Sequence, residues 1–322
     1  MDRLKNKIEK FQSEPIFLLF VGLLAAAFFS ATFLINRAIS LDGGHWYWSA
    51  SLRFLFTIIF LSVGFIVFRG FNYFKMILNE YIQNIRFWSI SGTIGFGFFY
   101  SFLCYAADFS PAWVVATTWQ MTILASLFVL AMFGKKLSKR IWFFTFVIFL
   151  GVTLVNFSHI DTNNLEALFL GFFPVLIAAF SYPIGNQMVW EQKIKREEKK
   201  EDIKIFKNAF IKVYLLTLGS FPFWIILYFI TDPGVPSSDQ YVSVALVSLL
   251  SGVIATSLFL YVRNHANSTS KIILVDATQA GEVFFALFGE VLFLGALLPS
   301  LTGWIGLSIT LIGLYFLTKA KD

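Results

Sequence analysis

Ten apolar runs, each of roughly 18–25 residues and so about long enough to cross ~30 Å of hydrocarbon as an α-helix, divide this chain. They fall near residues 15–36, 46–68, 87–108, 111–133, 141–158, 167–190, 206–230, 241–262, 271–294 and 300–318. That much apolar surface needs a solvent other than water. The composition agrees: 57% of residues are hydrophobic, 14% are charged and the mean hydropathy is +0.74, against about 45–50% and about 25% for soluble chains. The expected fold class is therefore all-α integral membrane, with ten transmembrane helices and the lipid bilayer as first partner.

The net charge of +6 does not indicate a nucleic-acid partner once the cations are placed. They cluster in alternate connections: Arg3, Lys5, Lys7 and Lys10 before the first run; Arg69, Lys75 and Arg86 after the second; Lys135, Lys136, Lys139 and Arg140 after the fourth. Seven more lie between Lys193 and Lys207, Arg263 and Lys271 flank the eighth connection, and Lys319 and Lys321 close the chain. Of 25 Lys and Arg, only Arg37, Arg53 and Lys212 fall elsewhere. The positive-inside rule makes that face cytoplasmic and puts both termini there. Removing or adding one helix would destroy the alternation. The opposite connections carry acids and turn formers, such as Asp42-Gly43-Gly44 and Asp232-Pro233-Gly234, and Trp46, Tyr47 and Trp48 stand where an interfacial belt belongs. The first run is read as a retained helix, because it exceeds a signal-peptide core in length and has a counterpart later in the chain.

That counterpart is one of five. Ala26-Ala27-Phe28, with Ser30 and Asn36, echoes Ala178-Ala179-Phe180-Ser181 with Gln187; Arg53 aligns with Lys212; Tyr100-Ser101 and Tyr105 align with Thr256-Ser257 and Tyr261; Gln120 aligns with Gln279; and Trp142 with Gly151 recurs as Trp304 with Gly313. An odd number of helices per half inverts the second half relative to the first. Two inverted five-helix repeats place a substrate site at their interface near the midplane. The expected organisation is a cytoplasmic arm (1–14), a first repeat (15–158), a second repeat (159–318) containing a charged cytoplasmic loop (191–205), and a short cytoplasmic tail (319–322). One chain can form a complete site, which is compatible with a monomer and with a homodimer.

The Leu52-Arg53-Phe54 step, the stretch AAFSYPIGNQ (178–187), the run DATQAGEVFFALFGEVLFLG (276–295) and Gly303-Trp304-Ile305-Gly306 resemble the drug/metabolite transporter superfamily. The resemblance is to its ten-helix EamA-type branch, most closely the multidrug-resistance efflux family, and covers essentially the whole chain. It implies a ten-helix fold with a central cavity, export of small organic compounds and residence in a bacterial plasma membrane. One departure stands out: the four-helix exporters of the superfamily use a membrane-embedded Glu in the first helix, and here Glu14 lies only at that helix's edge.

Ionisable groups inside a bilayer cost roughly 2.5–3.5 kcal/mol each and need a partner or a role. The ninth run concentrates them. On a regular helix Asp276, Gln279, Glu282 and Glu290 share an arc of about 120°, at depths from Lys271 of ~7 Å for Asp276, ~16 Å for Glu282 and ~28 Å for Glu290. Glu282 is thus the midplane carboxylate, at which a proton and a cationic substrate would compete. Glu290 and Asp276 are lesser candidates for coupling or substrate binding, and the alternative for all three is hydrogen bonding to neighbouring helices or pairing with Arg53. Arg53 is read first as an ion-pair partner and second as a substrate contact, and Lys212 as a cation reaching out to the cytoplasm. Gln120 and Thr117 share a face suited to lining a cavity. Trp119, Tyr100 and Tyr182 could present π faces to an organic cation, with packing as the alternative. Gly92, Gly95, Gly97, Gly303 and Gly306 suit close helix approach; Pro183 and Pro222 suit kinks.

The three His are scattered, no Cys/His/Asp spacing suits a metal, Cys104 is alone, and no phosphate-binding glycine loop is present. No enzyme, metal or cofactor is expected. The reading is a secondary transporter exporting small organic molecules, with protons as coupling ion. A permease for amino acids or other metabolites, with Arg53 clamping a carboxylate, is the second reading. A non-transporting membrane sensor or assembly factor is the third.

Overall fold

The computed structural model describes residues 12, 14–132, 138–158, 165–266, 271, 274–275 and 277–318. Every regular element among them is helical. In chain order they are α1 (Pro15–Leu41), α2 (Trp46–Arg69), α3 (Phe71–Gln83), α4 (Ile85–Ala106), α5 (Ala112–Trp119, resuming as Met121–Met132) and α6 (Lys139–Ser158). Next come α7 (Leu165–Glu198), α8 (Ala209–Thr231), α9 (Ser238–Val247, running through a π-helical stretch into Thr256–His265), α10 (Gly281–Leu294) and α11 (Leu301–Thr318). Among the described residues eight helices (α1, α2 and α4 to α9) are long and apolar enough to cross a membrane. Helix α11 is apolar but shorter, and α10 runs for 14 residues. The chain is a multi-pass, all-helical membrane protein.

Caps mark several starts. The Asn208 side chain accepts from the backbone N–H of Phe210 at 2.9 Å, and Ser237 from that of Gln240 at 3.1 Å, satisfying donors that helical geometry leaves free. Glycines set how closely the helices approach. A Cβ at Gly95 would lie 2.9 Å from Cα of Gly185, and one at Gly306 would lie 2.8 Å from the carbonyl oxygen of Gly151. So α4 crosses α7, and α6 lies along α11, backbone against backbone. The close-approach reading of Gly92, Gly95, Gly97, Gly303 and Gly306 holds, since each faces a neighbouring helix or side chain within contact distance.

The contacts pair helices across the chain. Helix α1 packs on α9 and α10, α7 packs on α4 and α5, and α4 and α9 each also pack on the early helix of the other half, α8 and α2 respectively. The π-helical stretches, Thr93–Phe98 in α4 and Ser248–Ala255 in α9, occupy corresponding places in these two helices. Such turns widen a helix by one residue and rotate the side chains beyond them to a new face.

Three boundaries differ from those expected. Helix α1 continues to Leu41, which places Arg37 inside it rather than in a connection. In the ninth run the described residues 271, 274–275 and 277 are helical, a 3₁₀ turn follows at Thr278–Ala280, and α10 continues from Gly281. The turn interrupts the regular register between Gln279 and Glu282, and Asp276 lies outside the described residues. Helix α7 runs on to Glu198, so much of the segment read as a charged loop is helical. Its charge is not all solvated. Arg196 makes a two-pronged pair with Glu80 of α3, at 2.7 and 3.1 Å, and lies over the Phe206 ring at 4.9 Å. Glu80 also accepts from the Trp88 indole at 3.2 Å and from Asn84 at 3.1 Å.

Glu80→Ala would leave the Arg196 guanidinium and the Trp88 N–H without their acceptor in a mostly buried place. A loss of about 3 kcal/mol is expected, read as a lower thermal midpoint in detergent. An unchanged midpoint would mean that this pair does not hold α3 to α7.

Candidate functional site

Among the described residues, Glu282 and Arg53 stand in the helical interior without an ion-pair partner. The first is Glu282, in the first turn of α10, 6% exposed. Among the described residues no hydrogen bond or ion pair reaches its carboxylate. Tyr182 of α7 lies within electrostatic reach of it and of Arg53. Tyr182 belongs to an aromatic group with Phe99 (5.1 Å between centroids), Trp119 (5.8 Å) and Phe96 (6.5 Å), and Trp119 packs on Phe99 at 4.8 Å. Although mid-helix, Tyr182 is 37% exposed, because it borders a cavity of about 450 Å³ that leads between α5 and α7 to Lys193 and Lys212 at the basic end.

The second is Arg53 of α2. Its Nη1 donates to the Tyr100 hydroxyl at 2.6 Å and to Thr32 Oγ1 at 3.0 Å, and its guanidinium lies 4.2 Å from the Tyr100 ring centre. Thr32 donates onward to Ser251 at 2.7 Å, and Ser248 donates to the Arg53 carbonyl at 2.9 Å. The π-helical stretch of α9 supplies both serines. Asn36 Nδ2 donates to the same Tyr100 hydroxyl at 3.0 Å, whereas Asn36 Oδ1 is buried with no partner.

Glu290 has a different environment. Its carboxylate accepts from the backbone N–H of Trp113 at 3.1 Å and from that of Ala112, capping α5, and Arg37 Nε lies 3.9 Å away. Arg37 Nη1 in turn donates to the Ala107 carbonyl at 2.7 Å. A carboxylate at a helix N-terminus with a guanidinium beside it is well compensated. These contacts tie α10 to α1 and to the α4–α5 connection at the end away from the cavity mouth.

Gln120 stands where α5 breaks, buried, with its amide 3.4 Å from the Ala116 carbonyl; Gln279 stands in the 3₁₀ turn before α10. The aligned glutamines thus both mark helix interruptions. Thr117 is buried and bonded to its own helix at the Trp113 carbonyl, 2.7 Å. The structure brings Tyr100 to Arg53, and Trp119 and Tyr182 to each other. Sequence reasoning passed over Asn36 and Thr32 as binding groups. Their signal was present: two polar residues four apart, and so on one face, in a mostly apolar helix.

Residues 16–322 match the family described as "EmrE: Putative multidrug resistance efflux transporter". The chain belongs to this family. It is 35% identical over 318 residues to the protein YjlA of Bacillus subtilis (strain 168), covering 94% of both chains. It is 34% identical over 275 residues to a 42.1 kDa protein of Shouchella clausii encoded 3′ of an intracellular alkaline protease, covering 81% of this chain and 69% of that one. A crystal structure of another protein shares the fold, with a TM-score of 0.59, 13% identity, and coverage of 94% of this chain and 96% of that one. Membership makes this chain a membrane transporter by family.

The two glutamates of α10 should respond differently to substitution. Glu290→Ala removes the acceptor for two N–H groups and the partner of Arg37, and should lower the thermal midpoint by several degrees. Glu282→Gln removes an uncompensated acid at constant shape and should leave the midpoint unchanged or higher. Equal destabilisation by both would show that Glu282 has a structural partner.

Proposed function

We propose that this protein is a secondary transporter that exports small organic molecules across a bacterial plasma membrane, driven by inward proton movement. It works by alternating access of two inverted five-helix halves, 15–158 and 159–318, with both termini cytoplasmic. The single observation that carries this reading is Glu282, a buried carboxyl that no hydrogen bond or ion pair reaches among the described residues, within electrostatic reach of Tyr182, which borders a cavity of about 450 Å³. An acid in that position holds either a proton or the cationic group of a substrate, and the exclusive choice couples the two movements. Trp119, Tyr182 and Phe99 supply faces for an apolar body, and Gln120 and Gln279 flank the site at the helix breaks.

The cavity mouth at Lys193 and Lys212 lies at the basic end, so this conformation is the inward-open one, with Arg37 and Glu290 closing the far end. The halves are supported by the pairing of α1 with α9 and α10 against that of α7 with α4 and α5. The corresponding π-helical stretches of α4 and α9 support them too.

The test is flux in proteoliposomes of known orientation under an imposed pH gradient. Wild-type protein should accumulate amine-bearing organic probes against their gradient. Glu282→Gln should lose gradient-driven accumulation by at least tenfold while still binding. Gradient-driven flux retained in the variant would move coupling away from Glu282. Accumulation that ignores the pH gradient in wild type would remove the proton from the mechanism.

A further inference from the structure

Helix α3 joins two spanning helices without itself spanning. Its 13 residues make about 20 Å of helix, against ~30 Å of hydrocarbon. It starts from Gly70, at φ +85° and ψ 162°, a conformation open to glycine and little else, and it ends at Asn84. The end of α2 at Arg69 and the start of α4 beside Arg86 both lie at the basic end of the bundle. Helix α3 therefore runs along that face of the membrane.

Its residues divide into three faces. Ile77 and Glu80 are buried, and Tyr73, Phe74 and Tyr81 pack on the core. On another side Phe71 and Ile82, within about 20° of each other around the helix, are 64% and 67% exposed. Between these two faces Lys75, Asn79, Asn72 and Gln83 follow one another over an arc of about 80°. With Ile205 they line a cleft of about 350 Å³. Glu80 borders the same cleft, but its carboxylate is engaged by Arg196, Trp88 and Asn84. The charge that the cleft presents is therefore that of Lys75. Lys75 has no ion-pair partner among the described residues, and the side-chain amides of Asn72, Asn79 and Gln83 have no hydrogen bond there. Arg69 and Arg86, exposed at the two ends of α3, are likewise unpaired among the described residues.

We infer that the α3 cleft binds the headgroup of an anionic glycerophospholipid in the leaflet at the basic end. Lys75 compensates the phosphodiester, and the three amides donate to its oxygens and meet the hydroxyls of a glycerol headgroup. The acyl chains lie along Phe71 and Ile82. A cationic, amide-lined cleft beside an apolar stripe on one helix fits the depth at which headgroups give way to chains. A soluble phosphate would leave the stripe facing water, and a zwitterionic lipid would bring its own cation towards Lys75. Arg69 and Arg86 add attraction for the same leaflet. This goes beyond the transport reading and does not depend on it. The Arg196–Glu80 pair joins α3 to α7, which carries Lys193 at the cavity mouth, so an occupied cleft should hold the two helices together more firmly.

The test uses the purified full-length protein in a neutral detergent. Phosphatidylglycerol, phosphatidylcholine or sn-glycerol 3-phosphate is added, bound molecules are counted by native mass spectrometry, and the thermal midpoint is followed. Phosphatidylglycerol should bind at least fivefold tighter than phosphatidylcholine and raise the midpoint by several degrees, with the preference falling in high salt. Lys75→Gln should reduce the preference below twofold, and Lys75→Arg should keep most of it. Lys199→Gln, which removes an exposed cation outside the cleft, should leave it unchanged. Variants are compared only if they elute as a single species. Should Lys75→Gln fail to fold, Asn79→Leu is the readout, and it should weaken phosphatidylglycerol at least threefold. No preference in wild type would overturn the assignment. Equal losses in Lys75→Gln and Lys199→Gln would do the same, by showing diffuse attraction without a site. A midpoint raised as much by glycerol phosphate as by the lipid would make the ligand a soluble one and also defeat it.

Discussion

Charge inside a membrane has to be compensated, and the structure can be read as the set of answers to that requirement. Water is absent from the hydrocarbon layer, so each interior ion must find a counter-ion, a set of hydrogen bonds or a route to solvent. Glu80 finds Arg196, Trp88 and Asn84; Glu290 finds Arg37 and the free N–H groups at the start of α5. Both pairs join helices distant in sequence, although Arg37 Nε, 3.9 Å from Glu290, has no hydrogen bond of its own. Arg53 and Glu282 are without an ion-pair partner among the described residues. The contrast between satisfied and unsatisfied ions separates scaffold from site more clearly than burial does, because all four are largely buried.

The packing of the helices makes that contrast possible. Where glycines meet, as at Gly95 and Gly185 or Gly151 and Gly306, backbones touch and the bundle is tight. Tyr182, packed on Phe99 and Trp119, borders instead a cavity that is also lined by Trp190, Phe206, Lys193 and Lys212. Two departures from regular α-helix lie close to the unsatisfied groups. The π-helical stretch of α9 turns Ser248 and Ser251 toward Arg53 and Thr32. The 3₁₀ turn before α10 sets Glu282 just after a local interruption of the regular helix.

The closed end and the open end differ in a way that bears on movement. At the closed end Arg37 joins α1, α10 and the connection before α5. At the open end the ties run between α3 and α7 beside the cavity mouth. On the proposed alternating-access reading, exchange between two access states would require the first set to part as the mouth closes. An Arg–Glu contact at 3.9 Å, supported by backbone carbonyls, is weaker than the two-pronged Arg196–Glu80 pair, and is the kind of contact that can open.

The sequence by itself determined the membrane habit, the all-helical class and the family. These depend on local quantities: apolar run length, the side on which cations fall, and a few adjacent residues such as the run containing Glu282 and Glu290. It also picked out the glycines at helix crossings. Which acid had a partner was decided only by the tertiary structure. Glu282 and Glu290 are eight residues apart on one helix and look alike in sequence; they differ because α5 begins beside Glu290, whereas among the described residues no hydrogen bond or ion pair reaches Glu282. Arg53 was expected to pair with an acid and instead meets hydroxyls from α1 and α4. The charged stretch after residue 190 was expected to be solvated, yet holds the Arg196 contact to α3. Compensation of charge is a property of neighbours in space, set by how helices cross, and no one-dimensional pattern contains it.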